Sequence, residues 1–244
     1  MNILEVKLNK EQIAILNGTN VIRQDKAKGK AIEDLCKQVL YQLGANEVFD
    51  YTELEDQVET GDLKALIRDF DDRLNVVDNI YHIECKSSHT YRNIHKLAFD
   101  IKYIDKYDFN KDYIQTTTNS SLGWIYLTQA DWIMCYNCEG GILHIIQNYQ
   151  ELKKNVLEKV DKYVEKWTTI DGFRGWYLRN NDNPIDGYSL EGSVKEDSNK
   201  YTLVANLMIE NKTISRYGGQ LSSYKIKLIE EKEKNTLSDQ TRVF

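Results

Sequence analysis

Proline is almost missing from this chain of 244 residues: Pro184 is the sole example, which excludes a proline-rich linker. No apolar run approaches the roughly 20 residues that a membrane-spanning helix needs. Positive charge is not in excess either. The net charge is −6, which argues against a protein that coats nucleic acid through a simple basic surface. It argues less against a protein that concentrates carboxylates in one cleft and keeps a local basic rim. Cysteine is sparse, at Cys36, Cys85, Cys135 and Cys138. The opening MNILEVKLNKEQ is charged and lacks a secretory apolar region, so an intracellular, reducing setting with free thiols is expected. Cys135 and Cys138 form a lone CxxC, and a tetrahedral zinc site needs two more ligands. The segment reads as two thiols near a turn. His82, His89, His95 and His144 form no HxxxH or HExxH. GxxxxGK[ST], GxGxxG and GxSxG do not occur, so those motifs lend no support to nucleotide binding or to a nucleophile elbow.

What is present is an ordinary globular pattern, 41% apolar and 29% charged, with 16 tyrosines suited to half-buried strands. The first residues suggest a short strand and a turn. Ala31, Leu35, Val39, Leu40 and Leu43 recur on one helical face over 26–43, and Gly44 stops that helix. EVFDY (47–51) suggests a strand. Leu63, Leu66, Ile67, Phe70 and Leu74 predict a second helix over 62–74, with Asp62 at its N-cap position. Period-two alternation predicts strands over 80–88 and 95–105, and further strands over 112–118, 123–127 and 130–136. Gly140-Gly141 turns the chain into ILHII, and 149–167 reads as a polar-faced helix. Beyond Trp167 a stretch rich in Gly, Asn and Asp precedes strand-like runs at 201–209 and 223–228.

The chemistry concentrates between Tyr81 and Asp105. Pairing IYHIECKSS with HKLAFDIKYID around a turn near Arg92 would set Glu84 opposite Asp100. Alternation then puts Glu84, Lys86, Asp100 and Lys102 on one sheet face, with Ile83, Cys85, Phe99 and Ile101 on the other. Two acids beside two lysines suit a divalent ion. Carboxylate oxygens hold Mg²⁺, the ion polarises a phosphoryl group, and a lysine stabilises developing charge. Alternating charge is also the common pattern of a half-exposed strand, where opposite cross-strand charges contribute about 0.2–1 kcal/mol.

The tripeptides Glu84-Cys85-Lys86 and Asp100-Ile101-Lys102 each match a D/E-x-K signature. With YIQTTTNSSLGWIYLTQADWIMCY downstream, residues 30–145 resemble the PD-(D/E)xK, restriction-endonuclease-like superfamily, in particular its phage-type members. The resemblance implies an α/β fold: a central mixed β-sheet flanked by helices over 1–167, with a mainly β or irregular extension over 168–244. It implies a DNA-cleaving endonuclease using Mg²⁺ or Mn²⁺, with no membrane association; restriction-type enzymes of this size often form homodimers. The spacing to Ile114 favours Asp100 as signature acid and Lys102 as signature lysine, with Glu84 as the preceding acid. That position is usually Asp, and no proline precedes it here. Glu33 matches the helix carboxylate that completes the metal shell, and Gln115 the polar residue on the next strand. A second register takes Glu84 and Lys86 as the pair, with Asp62 or Asp72 as the earlier acid. Asp62 in TGDL is similar to the Gly-Asp start of that strand, but the helical reading of 62–74 ranks this register second.

Overall fold

The computed structural model describes residues 1–18, 25–51, 61–70, 74–88, 95–105, 120–167, 188–197 and 200–231. Strand β1 (Asn2–Leu8) leads into a short helix α1 (Lys10–Leu16), which Asn9 opens with a capping box against Gln12. Helix α2 (Asp25–Gln42) follows, then β2 (Ala45–Asp50), β3 (Leu63–Phe70) and β4 (Val76–Ser88). Next come β5 (Lys96–Asp105), β6 (Ser120–Leu122), a one-turn helix α3 (Trp124–Leu127), β7 (Trp132–Asn137), β8 (Ile142–Gln147) and helix α4 (Tyr149–Trp167). The chain ends in β9 (Tyr188–Asp197), β10 (Lys200–Glu210), a 3₁₀ turn (Asn211–Tyr217) and β11 (Gln220–Glu230).

Seven strands form a mixed sheet in the order β1-β11-β8-β7-β4-β3-β2, and four form a second sheet, β6-β5-β10-β9. In the large sheet β1 runs parallel to β11 and β4 parallel to β7; its other pairs are antiparallel. The arrangement is mixed α/β. One face is covered by α2, whose Ala31, Ile32, Leu35, Cys36, Val39 and Leu40 are all buried against Leu63, Ala65, Ile83, Met134 and Leu143. Burying each such leucine stabilises the fold by about 1.5–3 kcal/mol. The opposite face meets a second core, in which Ile133, Cys135 and Ile146 pack against Tyr149, Leu152 and Val156 of α4 and Leu97, Phe99 and Leu207 of the small sheet. Strand β7 is buried along its whole length, its even positions facing α2 and its odd positions the second core. Among the described residues no helix is long and apolar enough to cross a membrane.

Three expectations are corrected. First, the 80–88 and 95–105 segments are strands but not partners. Both edges of β4 are already hydrogen-bonded, to β3 and β7, so β5 joins the small sheet beside β10 and β6. Second, 63–70 is a strand, not a helix. Its apolar residues satisfy both periods; an eight-position pairing with β4 decides, and Leu63 and Ala65 are fully buried under α2. Third, 124–127 is one helical turn, where a strand was expected. Of the described strands beyond Trp167, β11 lies inside the large sheet between β1 and β8, and β10 lies between β5 and β9 in the small one.

Candidate active site

The start of β3 is fastened to β4 by an unusual turn. Gly61 has φ +121°, and a Cβ there would lie 2.7 Å from the Ile83 carbonyl oxygen, so only glycine fits. The turn lets the Asp62 N–H donate to Ile83 O at 2.8 Å, while Asp62 Oδ2 accepts from the Cys85 N–H at 2.7 Å. The carboxylate thus extends the ladder past the end of β3, and it lies beside Glu84.

Glu84 alternates with Ile83. Ile83 faces the α2 core, so Glu84 faces the second layer, where it is 6% exposed. Its Oε1 is ion-paired with Lys86 Nζ. Its Oε2 accepts from Thr128 Oγ1 at 3.3 Å. Lys86 Nζ also sits 4.9 Å from the centroid of the Trp124 ring, in cation–π range. Trp124, Phe99 and Tyr149 form an aromatic cluster with centroids 5.3–6.3 Å apart. Tyr149 is anchored through its own N–H to Asp131 O at 3.0 Å, and the Asp131 N–H in turn donates to His82 O at 2.7 Å.

The electrostatics follow from burial and like charge. Burial first, then the Glu84 charge and more weakly Glu33, raise the Asp62 carboxyl to about 7 against the pull of Lys86 and the Cys85 N–H. For Lys86, burial opposes the charge. The carboxylates of Glu84, Asp62 and Asp100 outweigh it and hold the ammonium above its ordinary pKa. Glu33, on α2, is raised mainly by burial, and its carboxylate lies 3.4 Å from Lys30 Nζ.

The residues proposed from sequence fall into three groups. Asp62, Glu84 and Lys86 converge, and Glu33 is close enough for its charge to act on Asp62. Asp100 is on β5, in the other sheet, yet near enough for its charge to act on Lys86. The Lys102 backbone pairs with Leu122 and Ala205 on that same sheet. Glu84 therefore does not stand opposite Asp100, and the neighbours it has among these residues are Asp62 and Lys86. Asp72 and Gln115 lie outside the described residues. Thr128, Tyr149 and Trp124 were missed as site residues. Trp124 and Thr128 belong to the segment downstream of Lys102 on which the resemblance partly rests, but nothing in their own spacing marks them. The CxxC thiols point apart, Cys135 into the second core and Cys138 against the first, and all four cysteines are free.

Among the described residues no three His, Cys, Asp or Glu side chains come together closely enough to hold a metal ion unaided. The donor set still suits one kind of ion. Mg²⁺ usually takes one or two carboxylates and keeps several waters. Asp62 and Glu84 are two hard carboxylates, Glu84 ion-paired with Lys86, and burial together with the Glu84 charge raises the Asp62 carboxyl. The buried Tyr149 hydroxyl has no hydrogen-bond partner among the described residues. No family model matches the chain, and neither a curated protein nor a solved structure matches it.

Proposed function

We propose that this protein is a divalent-metal-dependent endonuclease that hydrolyses phosphodiester bonds in DNA, with a restriction-endonuclease-like core and a PD-(D/E)xK centre made of Asp62, Glu84 and Lys86. The observation that carries the reading is that Gly61-Asp62, at the start of β3, lies beside Glu84-Cys85-Lys86 on the neighbouring strand β4. This is the acid, acid-x-lysine order of that superfamily, with a helix carboxylate, Glu33, upstream.

Asp62 and Glu84 would hold Mg²⁺ or Mn²⁺, which when bound supplies Lewis-acid polarisation of the phosphoryl group and a more acidic water. The Cys85 N–H and the Thr128 hydroxyl fix the two carboxylates in place. Lys86, kept charged among carboxylates, stabilises the negative charge that grows on the phosphoryl oxygens as water attacks phosphorus and the P–O bond breaks. Trp124 closes one side of the ammonium and limits its solvation.

The test is cleavage of plasmid and single-stranded DNA with Mg²⁺ or Mn²⁺. Asp62→Asn, Glu84→Gln and Lys86→Ala should each abolish cleavage, and Asp100→Asn and Lys102→Ala should leave most of it. Loss in the last two alone would restore the Asp100/Lys102 register. A well-folded wild type that cleaves nothing with either metal would refute the enzyme. It would favour the alternative of an inactive nuclease-fold module that binds nucleic acid or a protein partner, a reading supported by the fact that no third ligating side chain joins Asp62 and Glu84 among the described residues.

A further inference from the structure

Tyr149 is the first residue of α4, has no solvent exposure, and carries a hydroxyl with no hydrogen-bond partner among the described residues. Buried polar atoms are nearly always paired, and an unpaired one destabilises the fold. The ring does not need that oxygen. Its faces stack near Phe99 at 6.2 Å and Trp124 at 6.3 Å, and phenylalanine would fill the same space. The hydroxyl lies within the electrostatic reach of Glu84, which together with the larger effect of burial keeps its pKa well above the ordinary value. The Trp124 ring beside Tyr149 also carries the Lys86 ammonium, and Lys86 and Thr128 both contact the Glu84 carboxylate.

We propose that Tyr149 is a positioning residue of the carboxylate site, whose hydroxyl donates to a water shared with Glu84 once a divalent cation is bound. This rests on the reading of Asp62 and Glu84 as cation ligands and adds a residue that the D/E-x-K pattern does not contain. A buried water needs two to four polar partners. The Tyr149 hydroxyl, the Glu84 carboxylate and the cation supply three. Without the cation, Lys86 and Thr128 occupy the Glu84 oxygens, and the hydroxyl is left over.

Tyr149→Phe removes one oxygen and keeps the ring. Two measurements on the full chain are needed: thermal melting without cation, and calorimetric titration with Mn²⁺. The variant should melt at the wild-type temperature or above it, because an unpaired hydroxyl is deleted, while Mn²⁺ binding weakens about tenfold, ~1.4 kcal/mol. Wild-type Mn²⁺ affinity in the variant would overturn the role of Tyr149 and leave the carboxylate site standing. A variant that melts lower without cation would also overturn it, since the hydroxyl would then have a structural partner. Failure of the wild type to bind Mn²⁺ at all would overturn the carboxylate site itself, and this inference with it.

Discussion

Replacing Asp62 by asparagine should make the cation-free protein more stable at pH 8 while abolishing cleavage. The folded carboxyl titrates at about 7, against an ordinary value of 3.8. That difference is about three units, and each unit is worth about 1.4 kcal/mol. Between about pH 4 and pH 7 the folded state holds a proton that the unfolded state has lost, so stability falls as pH rises through that window and levels off above it. Ionised Asp62 therefore costs the fold up to about 4 kcal/mol, which residual contact with solvent reduces to about 2–4 kcal/mol. Asparagine keeps the shape and the acceptor for the Cys85 N–H, and never ionises. Urea unfolding at pH 4 and pH 8 gives the decisive comparison: the variant's advantage should be near zero at pH 4 and about 2–4 kcal/mol at pH 8. An advantage that does not grow with pH, or an asparagine variant weaker than wild type at pH 8, would refute the account of a carboxylate kept under strain for its chemistry.

Other outcomes can be checked on the same preparation. Saturating Mg²⁺ should relieve the Asp62–Glu84 repulsion and raise the melting temperature; at a hundredfold excess over its Kd the gain is about 2.7 kcal/mol, and it should vanish in Asp62→Asn. Lys86→Ala leaves Glu84 buried without its ion-pair partner, so unfolding free energy should drop by about 3 kcal/mol and partly recover in the double variant Glu84→Gln/Lys86→Ala. Gly61→Ala forces a side chain to φ +121° and against the Ile83 carbonyl; a loss of about 2 kcal/mol, with cleavage falling below detection because Asp62 moves, is expected from denaturation and plasmid assays.

The helical face of α2 and the alternation at Leu97 and Phe99 of β5 could be read from residue order because each buries one stripe or face. Strands β7 and β8, buried on both sides, showed as short apolar runs. The 62–74 segment could not be read this way. Leu63, Ala65 and Ile67 make a strand face, while Leu63, Leu66, Ile67 and Phe70 make a helix face, and only the pairing with β4 chooses between them. That ambiguity moved the candidate site as well. Once 63–70 is a strand, Asp62 lies at its start next to Glu84-Cys85-Lys86, while Asp100-Ile101-Lys102 lies on β5 in the other sheet. Glu84 itself was legible under either register. Thr128 and Tyr149 were not, because they come from segments 44 and 65 positions beyond residue 84: Thr128 bonds the Glu84 carboxylate, and Tyr149 packs on Trp124 beside Lys86.

The place of β11 bears on how the molecule is made and how it can be cut. In the sheet order β1 has one neighbour, β11, and their seven-position parallel register joins Asn2 with Tyr224 and Leu8 with Glu230. A nascent chain emitted at about 5–20 residues per second exposes its first strand long before that partner exists. β1 and α1 must wait for almost the whole chain, and the edge of β8 waits with them. Shortening the protein from its C-terminal side would therefore not release a self-sufficient N-terminal piece. It would open the large sheet down its length, and a ribosome stalled before residue 220 would present the cell with two unpaired strand edges.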